Sequence, residues 1–221
     1  MRLSKNRNNH GHDGVQALTP ERYARALRSL ARRDRDLGRI LDRFGPPPMW
    51  SRRPGFPTLI HIILEQQVSL ASAKAAFDRL RAAVPRLTPA HFLKLDARQL
   101  KRIGFSRQKT RYGRELARTI LDGRLRLGEL AGLPDDDVRA ELLEITGIGS
   151  WTVDIYLLMA LRRPDIWPRG DLALVVAAGE VKRMRSRPSA EKFERLGDAW
   201  KPWRAVAARL LWHHYLSTPR R

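Results

Sequence analysis

The chain contains no cysteine. That one absence removes disulfides, zinc ribbons, thiolate-held iron–sulfur clusters and thiol nucleophiles from consideration. No apolar run approaches the ~18 residues of a membrane-spanning helix. The first 18 residues, with Arg2, Lys5 and Arg7 among Asn, His and Gly, lack the apolar stretch of a secretory signal. They read as a disordered basic arm, and no membrane partner is expected. Acidic residues are scarce beside basic ones, 23 Asp and Glu against 43 Lys and Arg, for a formal charge of +20. A compositional bias toward arginine or a strongly charged soluble surface is the plainer explanation. Cations that recur along the whole chain fit a polyanionic partner better, and nucleic acid is the commonest. The six histidines include no pair at metal-ligand spacing, since adjacent His213 and His214 would diverge on a helix.

With 221 residues, 43% of them hydrophobic, the chain can bury a core as one large domain or two closely packed smaller ones. What is present reads as helix after helix. Thr19-Pro20-Glu21 offers an N-cap, a first-turn proline and a first-turn acid, followed by Tyr23, Leu27, Leu30, Leu37 and Leu41 at helical spacing. Gly45-Pro46-Pro47-Pro48 interrupts the pattern. Further helices are expected from Pro57 toward Gln66-Gln67-Val68-Ser69, over 71–84, and behind Thr88, Asp96 and Ser106. Another runs from Pro134 into a Gly-x-Gly turn, and helices over 150–161, 171–184, 188–199 and 202–216 complete the series. No period-2 alternation is sustained and no internal repeat is detected, so the predicted fold class is all-α.

The most informative segment is Ile145-Thr146-Gly147-Ile148-Gly149-Ser150-Trp151-Thr152, between an apolar helix end and a new helix start. Two glycines around one apolar residue let the backbone turn sharply and approach another molecule closely. Amides of the turn and of the next helix's first turn lack intrahelical acceptors and lie at the positive end of the dipole. Such a turn suits a phosphate. Twenty residues after Trp151 stands Asp171. Its plain structural reading is a helix N-cap. A chemical reading is compatible with that one: an anionic carboxylate facing a cleft can stabilise an oxocarbenium-like sugar.

Several segments, in order, resemble the helix-hairpin-helix DNA glycosylase superfamily over roughly residues 20–216. They are Ile63-Leu64-Glu65-Gln66-Gln67-Val68-Ser69, Gly104-Phe105-Ser106-Arg107-Gln108-Lys109, the hairpin itself, Trp167-Pro168 with Asp171, and Trp200-Lys201-Pro202-Trp203-Arg204. Within the superfamily the chain is most similar to the 3-methyladenine DNA glycosylase II, or alkylbase glycosylase, branch. The resemblance implies a two-lobed helical fold with a cleft between lobes. Residues 19–52 plus 165–221 would form one discontinuous lobe, and 53–164 the other, carrying the hairpin at about 139–161.

The same resemblance implies Asp171 as the catalytic carboxylate and the amides of Gly147, Gly149 and Thr152 as a phosphate grip. Gln66 and Gln67 match the loop that fills the gap left by an extruded nucleotide, with Gln67 the wedge. Trp151 and Trp212 match aromatic residues of the base pocket, with core packing as the alternative for each. Tyr156 is a further candidate wall, because Ile155 stands where the branch often carries an aromatic. Trp50, Trp200 and Trp203 read as structural, and Trp167 stays open between the two roles. Carbonyls near Leu143, Ile145 and Ile148 are the implied ligands of a monovalent cation, Na+ or K+, joining hairpin to phosphate; no other cofactor is implied. The implied partner is double-stranded DNA bearing an alkylated base, met by a monomer in the cytoplasm.

Bifunctional glycosylase/lyases of the superfamily carry a lysine just after the hairpin, which attacks the sugar as an amine. Here that place holds Trp151, and no lysine occurs between Lys109 and Lys182. Water is therefore the expected nucleophile, leaving an abasic site in an uncut strand. An alkylated purine is cationic and leaves readily, so the protein must supply base extrusion, a pocket and one negative charge near the sugar. Rival readings are a glycosylase for oxidised or deaminated bases, a DNA-binding module in which Asp171 is only a cap, and a basic RNA-binding protein.

Overall fold

Short polar side chains start most of the helices. In the computed structural model, which describes residues 17–219, Thr19 caps α1 (Pro20–Arg33) and Asp34 caps α2 (Arg35–Phe44). After the proline-rich segment, α3 (Phe56–Glu65) buries Leu59, Ile60, Ile62, Ile63 and Leu64. Ser69 caps α4 (Leu70–Ala83) and Thr88 caps α5 (Pro89–Leu93). Asp96 opens α6 (Ala97–Ile103) with a capping box closed by Gln99, and Ser106 caps α7 (Arg107–Leu121). A 3-10 turn (Leu130–Gly132) leads to α8 (Asp135–Leu143), whose first turn puts three aspartates at the positive end of the dipole. The series ends with α9 (Ser150–Ile155), α10 (Leu172–Val181), α11 (Ala190–Ala199) and α12 (Arg204–Ser217). No strand occurs among the described residues. The fold is all-α, as expected.

Helices gather in two groups. One forms around α12, which packs against α1, α2, α10 and α11; in the other, α3 packs against α4, α7 and α9. The helix expected over 150–161 is regular only as far as Ile155, and Tyr156–Ala160 form a π turn. Within it the Leu161 N–H reaches back five residues to Tyr156 O at 3.1 Å, while Leu157 O, the acceptor a regular helix would give it, takes the Arg163 N–H at 3.0 Å. Leu158 O accepts Arg209 Nη2 at 2.8 Å, and Met159 O accepts the Arg52 N–H at 2.9 Å.

Arg209 is 0% exposed. Its other donors reach Met49 O at 2.7 Å and Ala205 O at 2.9 Å. One guanidinium thus joins α12, the loop before α3 and the π turn after α9. Burial pushes its pKa down to about 10, which leaves it charged at neutral pH. The basic arm expected over 1–18 lies outside the described residues as far as residue 16. Leu18 is not part of such an arm: it is fully buried, and its N–H bonds the Arg162 carbonyl at 2.8 Å.

Replacing Arg209 by Met keeps the aliphatic stem but takes the donors from two buried carbonyls, Met49 O and Leu158 O, each costing ~1–3 kcal/mol when unsatisfied; Ala205 O keeps its helical N–H. Arg209→Met is expected to lose at least ~2 kcal/mol of unfolding free energy. Denaturant titration checks this, and a loss below ~1 kcal/mol would contradict the role given to the guanidinium.

Candidate active site

Asp171 caps α10, its Oδ1 accepting the Leu174 N–H at 2.9 Å. Two indoles complete the carboxylate's surroundings. Trp151 Nε1 donates to Oδ2 at 3.0 Å, and Trp212 Nε1 donates to Oδ1 at 3.3 Å. The two tryptophans come from α9 and α12, one from each helix group. All three donors are neutral, so none of them cancels the charge of the carboxylate. Arg169, two residues earlier, turns its guanidinium to Glu194, with Nε 3.0 Å from Oε2. Its backbone N–H is held by Asp154 Oδ2 at 3.4 Å, and Asp154 is buried against Arg139 at 2.6 Å. Burial raises the Asp154 pKa, opposed by the Arg139 charge. Sequence reasoning missed Asp154, which anchors the segment leading into Asp171.

Asp171, Trp151 and Trp212 line a cavity of about 1510 Å³ that receives residues from both helix groups. That exceeds an ordinary small-ligand pocket of ~300–1,000 Å³, as a cleft open to a larger partner would. Tyr156 does not line it. The ring is fully buried and its phenol oxygen accepts the Gly55 N–H at 3.2 Å, so its expected place as a pocket wall is corrected. Trp50, read from sequence as structural, does line the cavity, together with Tyr215 and Met159. Trp167 belongs to the core, stacked on Phe193 at 4.5 Å and edge-on to Trp200 at 5.4 Å. Lys109 also reaches the cavity, from α7. Its Nζ donates to the Leu64 carbonyl at 2.7 Å, and burial pushes its pKa down. A search of near neighbours in sequence could not have found that amine.

The hairpin turns at Gly147, where φ is +93° and a Cβ would fall inside the Tyr112 ring. Gly149 is extended (φ −97°, ψ 176°) and is the N-cap of α9, so it presents the first-turn amides, Thr152 among them. Ile145 and Ile148 are buried in the turn, Ile145 O accepting the Ile148 N–H at 3.0 Å, while Leu143 ends α8 half-exposed. Gln66 and Gln67 behave differently. Gln66 Nε2 donates to Gly147 O at 2.9 Å and to Thr152 Oγ1 at 3.0 Å, tying its loop to the hairpin. Gln67 is exposed with φ +56°, and beside it Val68 and Leu70 present exposed apolar side chains at the cavity. Among the described residues, no helix is long and apolar enough to cross a membrane, and no cluster of acidic or histidine side chains could hold a metal ion.

Comparison with known proteins bears on this site. Residues 60–204 match the family described as HhH-GPD superfamily base excision DNA repair protein. A Bacillus subtilis protein provisionally named a DNA-3-methyladenine glycosylase is 28% identical over 162 residues, 70% of this chain and 56% of the relative, so the match spans little more than half of that protein. An alkylbase DNA glycosidase-like protein of Schizosaccharomyces pombe is 26% identical over 197 residues, 86% of this chain and 92% of the relative. Among solved structures, the 3-methyladenine DNA glycosylase of Schizosaccharomyces pombe, in complex with abasic DNA, superposes with a TM-score of 0.77. It covers 86% of this chain and 94% of its own at 24% identity, a likeness of fold.

The two hairpin glycines should respond unequally to alanine. Gly147→Ala meets both the left-handed backbone and the Tyr112 ring, and is expected to cost ~2–4 kcal/mol. Gly149→Ala has open space and should stay within ~1 kcal/mol of the parent. Equal melting temperatures for the two variants would refute this reading of the turn.

Proposed function

The chain belongs to the HhH-GPD superfamily of base excision DNA repair proteins, and from that premise we propose that it is a monofunctional DNA glycosylase releasing alkylated purines from duplex DNA. The observation that carries the reading is the Asp171 carboxylate, which lines the cleft with an indole N–H on each oxygen. The family, the relatives' names and the cleft's aromatic lining support it.

In this reading the amides of Gly147, Gly149 and Thr152 hold a phosphate of the damaged strand, as the start of a helix does. Gln67 enters the gap in the stack, with Val68 and Leu70 as apolar neighbours, and Gln66 keeps that loop in register with the hairpin. The extruded base lies among Trp151, Trp212 and the rest of the aromatic lining. Its glycosidic C–N bond breaks with both electrons leaving on the base, which an alkylpurine's positive charge favours. The sugar becomes an oxocarbenium-like cation, and the carboxylate stabilises it electrostatically. Oδ1 already accepts two N–H groups, so Oδ2 has the freer lone pair to face the sugar or the incoming water. Water adds at C1′ and loses a proton, and an abasic site remains.

A monovalent cation fits the turn at Leu143, Ile145 and Ile148. Three neutral carbonyls suit a hard monovalent ion, and the Ile148 N–H on Ile145 O leaves that oxygen a second lone pair. Bound there, the ion would add positive charge beside the phosphate grip.

The test is single-turnover release of 3-methyladenine from duplex DNA. Wild type is expected to release the free base with no strand scission before alkali. Asp171→Asn should lower the rate by ~100-fold or more, the scale of a lost charge-stabilising group, with duplex affinity little changed. An unchanged rate in that variant would reduce Asp171 to a helix cap. A borohydride-trapped adduct that disappears in Lys109→Ala would overturn water as the nucleophile.

A further inference from the structure

α7 supports two neighbours of the cleft at once, through residues on one face. Tyr112 lies under the hairpin turn, so close that a Cβ on Gly147 would fall inside its ring. Lys109, one turn earlier, donates from Nζ to Leu64 O at 2.7 Å. Gln66 closes the third side, its Nε2 reaching Gly147 O at 2.9 Å and Thr152 Oγ1 at 3.0 Å. Helix, hairpin and the loop 66–69 thus brace one another. All of these residues except buried Leu64 border the cleft.

The bond to Leu64 O answers a local need. α3 ends at Glu65, and its last turn carries no basic residue. In a continued helix Leu64 O would take the Val68 N–H. Here the chain turns away, with Gln66 at ψ 121° and Gln67 left-handed at φ +56°. A carbonyl at the end of a helix also carries the negative end of the dipole, and an ammonium satisfies both the bond and the charge. Lys109 supplies that ammonium from another helix. Burial pushes its pKa down, and its partner in the cleft is the end of α3.

The loop that follows needs such support. A left-handed glutamine is unfavourable backbone and persists only where its surroundings hold it. Gln67, Val68, Ser69 and Leu70 are all exposed, so burial of the loop's own side chains does not fix its height over the cleft. Lys109 fixes it at the α3 end, and Gln66 fixes it on the hairpin side.

We propose that Lys109 is the positioning residue of this loop: by holding Leu64 O it sets how far Gln67 and Val68 reach into the duplex. The proposal rests on the glycosylase reading above, in which the loop fills the gap left by the extruded nucleotide. Loss of the bond then impairs extrusion and spares the phosphate contacts and the Asp171 chemistry.

The test compares Lys109→Met, which keeps the aliphatic stem without a donor, with Lys109→Arg, which keeps a cationic donor. Lys109→Gln replaces Lys109→Met if the methionine variant lacks a wild-type circular dichroism spectrum. If neither folds, Lys109 is a structural residue and the proposal falls. Single-turnover release is measured on 7-methylguanine in a paired duplex and in a bulge, where extrusion costs less because no partner base is lost. Lys109→Met is expected to lose about tenfold on the paired lesion, the scale of a hydrogen bond to a charged group, and less than about threefold on the bulge. Lys109→Arg should recover most of the loss. Duplex affinity should stay within about twofold, with unchanged salt dependence. Equal losses on the two substrates, or none, overturn the proposal. So does a salt slope lower by about one, which would make Lys109 a phosphate contact.

A second measurement needs no turnover. In a duplex whose 7-methylguanine carries a 2′-fluoro sugar, the glycosidic bond resists cleavage, and a neighbouring 2-aminopurine brightens when the lesion leaves the stack. Wild type and Lys109→Arg are expected to raise its emission about threefold more than Lys109→Met does. That result without any base release from the ordinary substrate defeats the glycosylase reading and supports the role of Lys109. No rise with wild type, or equal rises with all three proteins, overturns the role itself.

Discussion

Three pieces of chain that are far apart in sequence meet at one buried guanidinium. Arg209 binds carbonyls of the loop before α3, of the π turn after α9 and of its own helix. A buried cation is tolerable only when its donors are used, and here neutral carbonyls use them. The consequence is geometric. Trp212 lies on α12 one turn beyond Arg209, Trp151 opens the α9 whose following π turn Arg209 holds, and Trp50 follows the Met49 carbonyl it grips. The three cleft indoles therefore share one fixed point beneath them. The π turn belongs to the same arrangement, since its Leu158 and Met159 carbonyls meet Arg209 and the Arg52 amide.

Above that floor the carboxylate of Asp171 is managed by neutral donors alone. An arginine at the same distance would cancel the charge, leaving little field for the sugar cation of the proposed reaction. Indole and backbone N–H groups hold the carboxylate while preserving its net charge. The nearest arginine in sequence, Arg169, is drawn off by Glu194, and its backbone is fixed instead by buried Asp154. This separates positioning from charge: Asp154 and Arg139 are consumed in holding the segment, and Asp171 is not consumed at all.

Local chemistry made much of this legible beforehand. Caps such as Thr19, Asp96 with Gln99, and Ser106 are read from single residues because the bond each makes lies within three positions. The Gly-x-Gly turn and the aspartate after it are equally local in what they demand of the backbone. Tyr156 is a case where periodicity held the answer: Ile155, four after Trp151, shares its helix face, whereas Tyr156 is turned ~140° away toward the core. Trp50 and Lys109 were out of reach of that kind of reasoning. Their place in the cleft depends on contacts with Met159, Leu64 and Arg209, tens to more than a hundred positions away in sequence. Gln66 lies between the two cases, its loop recognisable and its bonds to Gly147 and Thr152 not.

A chain with a formal charge of +20 meets a contradiction if its substrate base is itself cationic. Long-range attraction to the phosphates needs the positive surface, and the same field disfavours a positive ring inside the cleft. The cavity resolves this locally. Of its cations, Arg52 is paired with Glu65 and Lys109 is turned onto the Leu64 carbonyl with its charged form disfavoured by burial. What faces the interior is Asp171 and a set of aromatic rings whose faces carry partial negative charge. Beyond a Debye length of ~8–10 Å the outer charges are screened, so the ring entering the pocket feels the lining more than the surface. The protein can then be basic toward the strand and anionic toward the base it would remove from that strand.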